Sequence, residues 1–229
     1  MQSLLLAVSV LAAASTLTTV LSDDWYVPAC VTAAALLVTI ARRAGLSWEE
    51  LGLGRASAQR GLDWGLVLGG AVLAVYLLAW HLPLTHEAFK DKRAAGHSSA
   101  EQLFRVLVRV PFGTVLLEEV GFRGVLWALI TRLRGPVWAT AVSSTLFGLW
   151  HVAPSRGLTK ANTAAEAVFG AGKPGVILSV ASAVVGTGIA GVLLCELRRR
   201  SGSLIPPMAV HCALNSFGYA LSWAATHGE

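Results

Sequence analysis

The sequence predicts an all-α membrane protein, a polytopic bundle of seven or eight transmembrane helices. Three observations predict it. Hydrophobic residues fill 55% of the 229 positions and charged ones only 14%, against roughly 25% charged in an average soluble domain. Mean hydropathy is +0.62. Apolar runs recur along the whole chain, each near the roughly 20 residues that cross about 30 Å of hydrocarbon. The basic residues behind the formal charge of +5 sit in short runs between those segments, where they meet anionic lipid head groups and not nucleic acid. The expectation is a multi-pass protein of the cell membrane whose partner is the lipid bilayer. We divide it into two spans with a connector (1–60) and a membrane-embedded core (61–229), one continuous domain overall.

The first run, Leu4 to Ser22, contains the small residues Ala12, Ala13, Ala14 and Ser15 of a signal-peptide cleavage site. It lacks a basic n-region and is long enough to span, so it reads as a helix. Asp23 and Asp24 end it, Trp25 and Tyr26 suit the interface, and a second span covers about Val27 to Ala41 before Arg42 and Arg43. Ser47 and Glu50 form a capping box for a short surface helix closing near Gly52. A third span runs from about Trp64 to Leu82, followed by a solvated loop with Glu87, Lys90, Asp91, Lys92 and Arg93. A second capping box, Ser98 with Glu101, opens a helix that carries Arg105 and Arg109 on one face and passes Pro111 into an apolar stretch reaching Ile130. A fifth span follows Gly135 and Pro136, from about Val137 to Val152. After a polar loop the sixth begins near Gly175, and Arg198, Arg199 and Arg200 stop it. The seventh runs from about Pro206 to Ala225, and the chain closes on His227, Gly228 and Glu229. A cytoplasmic N-terminus places Arg42, Arg43, Arg55, Arg60, Arg132, Arg134 and Arg198 to Arg200 inside, with Lys90, Lys92 and Arg93 counting against it.

Two features carry less than their letters suggest. Gly186-Thr187-Gly188-Ile189-Ala190-Gly191 matches the dinucleotide fingerprint. It interrupts a long apolar segment with no preceding strand and no acidic residue about 20 positions on, so it reads as close helix packing. Cys30, Cys195 and Cys212 all lie in apolar stretches, where a thiol acts as a small hydrophobe. Cys212 adjoins His211, but neighbours on a helix point about 100° apart.

Ionisable groups at membrane depth are costly and mark functional sites by default. Glu119 and Arg123 are i,i+4 partners that neutralise each other, which leaves Glu118 without a partner in its own helix, a setting suited to a general base or acid. Phe147 and His151 share a face near the end of the fifth span. His211 and Asn215 share one on the seventh, whose start Pro206 and Pro207 fix. Together these positions supply a carboxylate, two imidazoles and an amide on three spans, a set able to activate a water and stabilise an oxyanion.

In order and spacing, Glu118-Glu119-x-x-x-Arg123, Phe147-x-x-x-His151 and His211-x-x-x-Asn215 resemble the CAAX prenyl protease and bacteriocin-processing (CPBP, or Abi) family of intramembrane endopeptidases. Glu50-Leu51-Gly52-Leu53 is similar to a weaker element ahead of that family's core. The resemblance implies a helical membrane fold with a water-filled cavity. In it, Glu118 and His151 activate water for attack on a peptide carbonyl of a membrane-associated protein or peptide, and His211 and Asn215 hold the oxyanion. Arg123 is then structural, paired with Glu119. No cofactor is required in the favoured reading. A three-ligand zinc site of Glu118, His151 and His211 is the alternative the family's description as metal-dependent implies, although Asn215 suits an oxyanion better than a metal.

Other intramembrane protease classes are disfavoured, since the chain has no Gly-x-Ser-Gly or Gly-x-Gly-Asp motif, and Asp23, Asp24, Asp63 and Asp91 lie at or beyond span ends. Two other classes compete. A transporter would use Glu118, His151 and His211 as a proton relay, and a non-catalytic scaffold would use the same residues to pack the bundle.

Overall fold

The computed structural model describes residues 1–227. Gly228 and Glu229, at which the chain was expected to close, lie outside the described residues. The fold is all-helical, with no strand among the described residues and one isolated bridge between Asp91 and Asn162.

Seven rods make the bundle. α1 is Gln2–Leu17 and α2 is Asp23–Arg43. α3, Ala58–His81, starts six residues before the expected Trp64. α4 occupies residues 99–134, α5 is Pro136–Trp150, α6 is Gly172–Ser201 and α7 is Ile205–His227. Local chemistry sets their ends. Ser98 accepts from the Glu101 backbone while Glu101 returns a bond to Ser98, so the predicted capping box opens α4. Gly135, at φ +85°, makes the turn into α5, and Pro136 occupies the first position of that helix. Between α5 and α6 the polar segment forms three short helices, Val152–Ser155, Leu158–Ala161 and Thr163–Phe169.

Ser47 and Glu50 exchange the reciprocal bonds of a cap, at 2.7 and 3.1 Å, yet no helix grows from them. The segment is a hydrogen-bonded turn, because Gly52 takes a left-handed conformation at φ +74° and gives its carbonyl to Leu204 N–H at the start of α7.

Three helices are long and apolar enough to cross a membrane by themselves: Asp23–Arg43, residues 55–81 and Gly172–Ser201. Their apolar side chains face outward, as with Leu66 at 75% exposure and Ile177 at 69%, a surface that lipid covers and water would not tolerate. By length and composition, three of the seven or eight expected spans stand out among the described residues. α1, with 16 residues, is about 24 Å long against roughly 30 Å of hydrocarbon. α4 and α7 carry the buried polar groups described below.

α5 lies against α6, α7 against α3 and the first half of α4, and α2 against α4. At the α5–α6 contact, a side chain on Gly148 would meet the Val184 carbonyl at 2.6 Å, and one on Gly191 would meet Ser144 at 3.1 Å. The glycines of the false nucleotide fingerprint therefore include packing positions, as expected.

The bundle has two polar ends. At one, Arg132 binds Glu50 at 2.6 Å, and Arg198 donates to the carbonyls of Glu49 and Glu50. At the other, Asp23 holds both Arg105 and Arg109, at 2.7 and 3.2 Å, and the Asp91–Asn162 bridge ties the loop after α3 to the short helices before α6. Basic residues crowd both ends, so the charge asymmetry behind the expected cytoplasmic N-terminus is shallow.

Candidate active site

Glu118 and Glu119 lie midway along α4, where the backbone departs from α-helical winding. Arg105–Val115 and Glu119–Leu126 are wound as π-helix on either side of a short α-helical segment, Leu116–Glu118. Pro111, which has no N–H to give, sits in the first wide stretch. Such widened turns occur frequently at functional sites.

The Glu119–Arg123 pair forms as the sequence predicts, with Nη1 to Oε1 at 3.0 Å and both side chains wholly buried. Arg123 also stacks on the Phe147 ring, its guanidinium carbon 3.8 Å from the centroid. Glu119 has a second partner that its sequence did not announce. His211 Nδ1 approaches the same Oε1 at 2.7 Å, and because a carboxylate paired with arginine can only accept, His211 donates. Its Nε2 then faces Glu118, 3.8 Å from Oε2.

Glu118 is buried at 5% exposure. It has no partner in its own helix, as expected, but one across the bundle: Trp150 Nε1–H donates to Oε1 at 3.0 Å. Glu118 Oε2 is buried with no hydrogen-bond partner. Trp150 is the functional candidate that the sequence reading missed; the one signal available was an indole donor adjoining His151.

His151 caps the C-terminus of α5, and its Nδ1 lies 2.8 Å from the Phe147 carbonyl. A carbonyl accepts, so Nδ1 carries the proton and a neutral ring has its free electron pair on Nε2. Phe147 is in edge contact with the rings of Phe122, His151 and His211, which makes it the packing centre of the site.

Glu118, Trp150, His151 and Asn215 line one cavity of about 440 Å³, whose walls also include Tyr26, Arg109 and Thr18. The first 60 residues thus help to enclose it. Asn215 makes no side-chain hydrogen bond among the described residues, which leaves its amide free for a ligand. His211 does not line this cavity; it stands behind Glu118, held by Glu119. Among the described residues no group of three His, Cys, Asp or Glu side chains is gathered closely enough to hold a metal ion. The cluster is a carboxylate oxygen, an unprotonated imidazole nitrogen and an amide facing one space, the groups needed to deprotonate water and to receive negative charge.

Residues 100–217, just over half of the chain, match a family model described as Rce1-like, type II CAAX prenyl endopeptidase. Neither the curated proteins nor the solved structures contain a match.

Proposed function

This chain belongs to the Rce1-like family of type II CAAX prenyl endopeptidases, and from that premise we propose that it hydrolyses a peptide bond of a membrane-associated protein or peptide by a glutamate-based mechanism. The observation that carries the reading is the convergence of Glu118, His151 and Asn215 on one cavity.

Water entering the cavity sits between the Glu118 carboxylate and His151 Nε2. One of these takes a proton as the water oxygen bonds to the scissile carbonyl carbon. The carbonyl electron pair moves to oxygen, and the Asn215 amide donates to the resulting oxyanion. His211, held by Glu119 through Nδ1, presents its Nε2 to the Glu118 carboxylate from behind the cavity and positions it. The tetrahedral intermediate collapses, the C–N bond breaks, and the protonated catalytic group returns its proton to the leaving amine. Trp150 keeps Glu118 turned toward the water.

The test is cleavage of prenylated CAAX peptides and of a fluorogenic peptide library by the detergent-purified protein, beside Glu118→Ala and His151→Ala, with and without phenanthroline. Loss of about 10²-fold or more in both variants, each still folded by circular dichroism, is expected from removal of a general base. Unchanged activity in either variant would overturn the assignment. Loss with chelator and recovery with zinc would replace the glutamate mechanism by a metal one.

A further inference from the structure

Tyr26 stands on the wall of the catalytic cavity with Glu118, His151 and Asn215, yet it comes from α2, outside the stretch 100–217 that matches the family model. Three residues of α4 fix its ring. Gly113 leaves the space that the ring fills, since a side chain there would meet it at 2.8 Å. Arg109, held by Asp23, lies over the ring face with its guanidinium carbon 3.7 Å from the centroid. Thr114 Oγ1 lies 3.0 Å from the phenolic oxygen. Thr114 is four residues before Glu118 and lines the same cavity, so the phenol is anchored on the Glu118 side of that space.

The other polar groups of this wall are largely engaged. Thr18 and Thr19 donate to carbonyls of α1. The Trp150 indole serves Glu118, and His151 Nδ1 serves the Phe147 carbonyl. Arg93 and Arg109 each face a carboxylate, Asp91 and Asp23 respectively. Tyr219 lies open, at 41% exposure. A phenol accepts one hydrogen bond and donates another. With Thr114 as the donor to it, Tyr26 keeps its own proton for the cavity, and a donor held on three sides needs little reorganisation when charge develops.

We propose that the Tyr26 hydroxyl donates to the oxyanion beside the Asn215 amide, so that groups from opposite ends of the chain receive the carbonyl oxygen together. The inference rests on the protease reading. No bond to Tyr26 forms or breaks. Its hydrogen bond strengthens as the carbonyl electron pair moves to oxygen and relaxes when the intermediate collapses, so its removal is felt in kcat and not in KM.

The test uses the full-length, detergent-purified protein and its Tyr26→Phe, Thr114→Val and Tyr219→Phe variants. Two quantities are read: kcat and KM for a peptide that the wild type cleaves, and affinity for a prenylated CAAX peptide against its phosphinate analogue, whose tetrahedral anionic centre stands in for the oxyanion. Tyr26→Phe is expected to lower kcat by about 10²-fold with KM within about twofold, and to weaken the analogue but not the parent peptide. Thr114→Val, which leaves the phenol in place but unoriented, should lower kcat by about tenfold. An unchanged kcat in folded Tyr26→Phe, a loss confined to KM, or a kcat loss carried by Tyr219→Phe in its place would overturn the proposal. Should Tyr26→Phe fail to fold, a full kcat in Thr114→Val overturns it alone. A wild type that cleaves nothing but prefers the analogue through Tyr26 would sink the protease reading and leave the donor site standing; one that neither cleaves nor prefers the analogue would sink both.

Discussion

At the residue scale, the hydrogen bond from Trp150 to Glu118 is the least expected contact of the site and gives the sharpest test. Trp150→Phe keeps the aromatic bulk and removes one donor to a carboxylate, a loss of about 1.5–3 kcal/mol where the bond matters. Peptidase kcat should fall by about tenfold or more and the melting temperature by several degrees; an unaltered kcat would show that Glu118 is held by something else. The local pairings were legible in the sequence because helical spacing encodes them, as for Glu119 with Arg123 and for Phe147 with His151. Trp150 with Glu118 and His211 with Glu119 were not, since each joins residues far apart in the chain, and no periodicity reports which face of one helix meets which face of another. The same gap hid Asp23, which sequence position marks only as a helix boundary and which turned out to hold two arginines of α4.

Helices meet through buried charge at α4 and through glycine at α5 and α6. Arg123→Met would strand Glu119 in an apolar interior, and losing one partner of a buried pair costs about 3–5 kcal/mol. The companion change Glu119→Gln should recover much of that stability but not activity, because His211 loses the carboxylate that orients it. Thermal unfolding in detergent together with a cleavage assay reads both effects. For Gly148→Val, the added carbons meet the Val184 carbonyl, so α5 must move away from α6 and carry His151 with it. Lower stability and lower activity should appear together. The wide winding of α4 was invisible beforehand: the composition of residues 105–126 suits an ordinary helix apart from Pro111.

For the whole molecule, composition alone supplied the all-helical membrane class, and most helix ends fell within a few residues of the caps and breakers that marked them. The number of crossings was harder to read, because an apolar run in a sequence does not distinguish a helix facing lipid from one facing the interior. The polar end opposite the cavity also bears on stability. Arg132 and the Ser47 backbone hold the Glu50 carboxyl down at about 2 from its ordinary 4.5. A depressed folded-state value means that the clamp contributes fully above the unfolded value and is lost as pH falls from about 4.5 through 2. Because Glu50 is largely exposed, the contribution is screened and modest. Wild type should therefore lose stability across that acid window more steeply than Glu50→Gln, as followed by melting temperature against pH.

The turn at Gly135 has a consequence for how the protein is made. One residue joins α4 to α5, so Glu118 and Trp150, 32 positions apart, can meet as soon as that hairpin leaves the ribosome. His211 meets Glu119 across 92 positions, and Asn215 follows on the same last helix. Chains emerge N-terminus first. On the mechanism we propose, a nascent chain carries Glu118 and His151 through most of synthesis without Asn215, and the site is complete only when α7 docks.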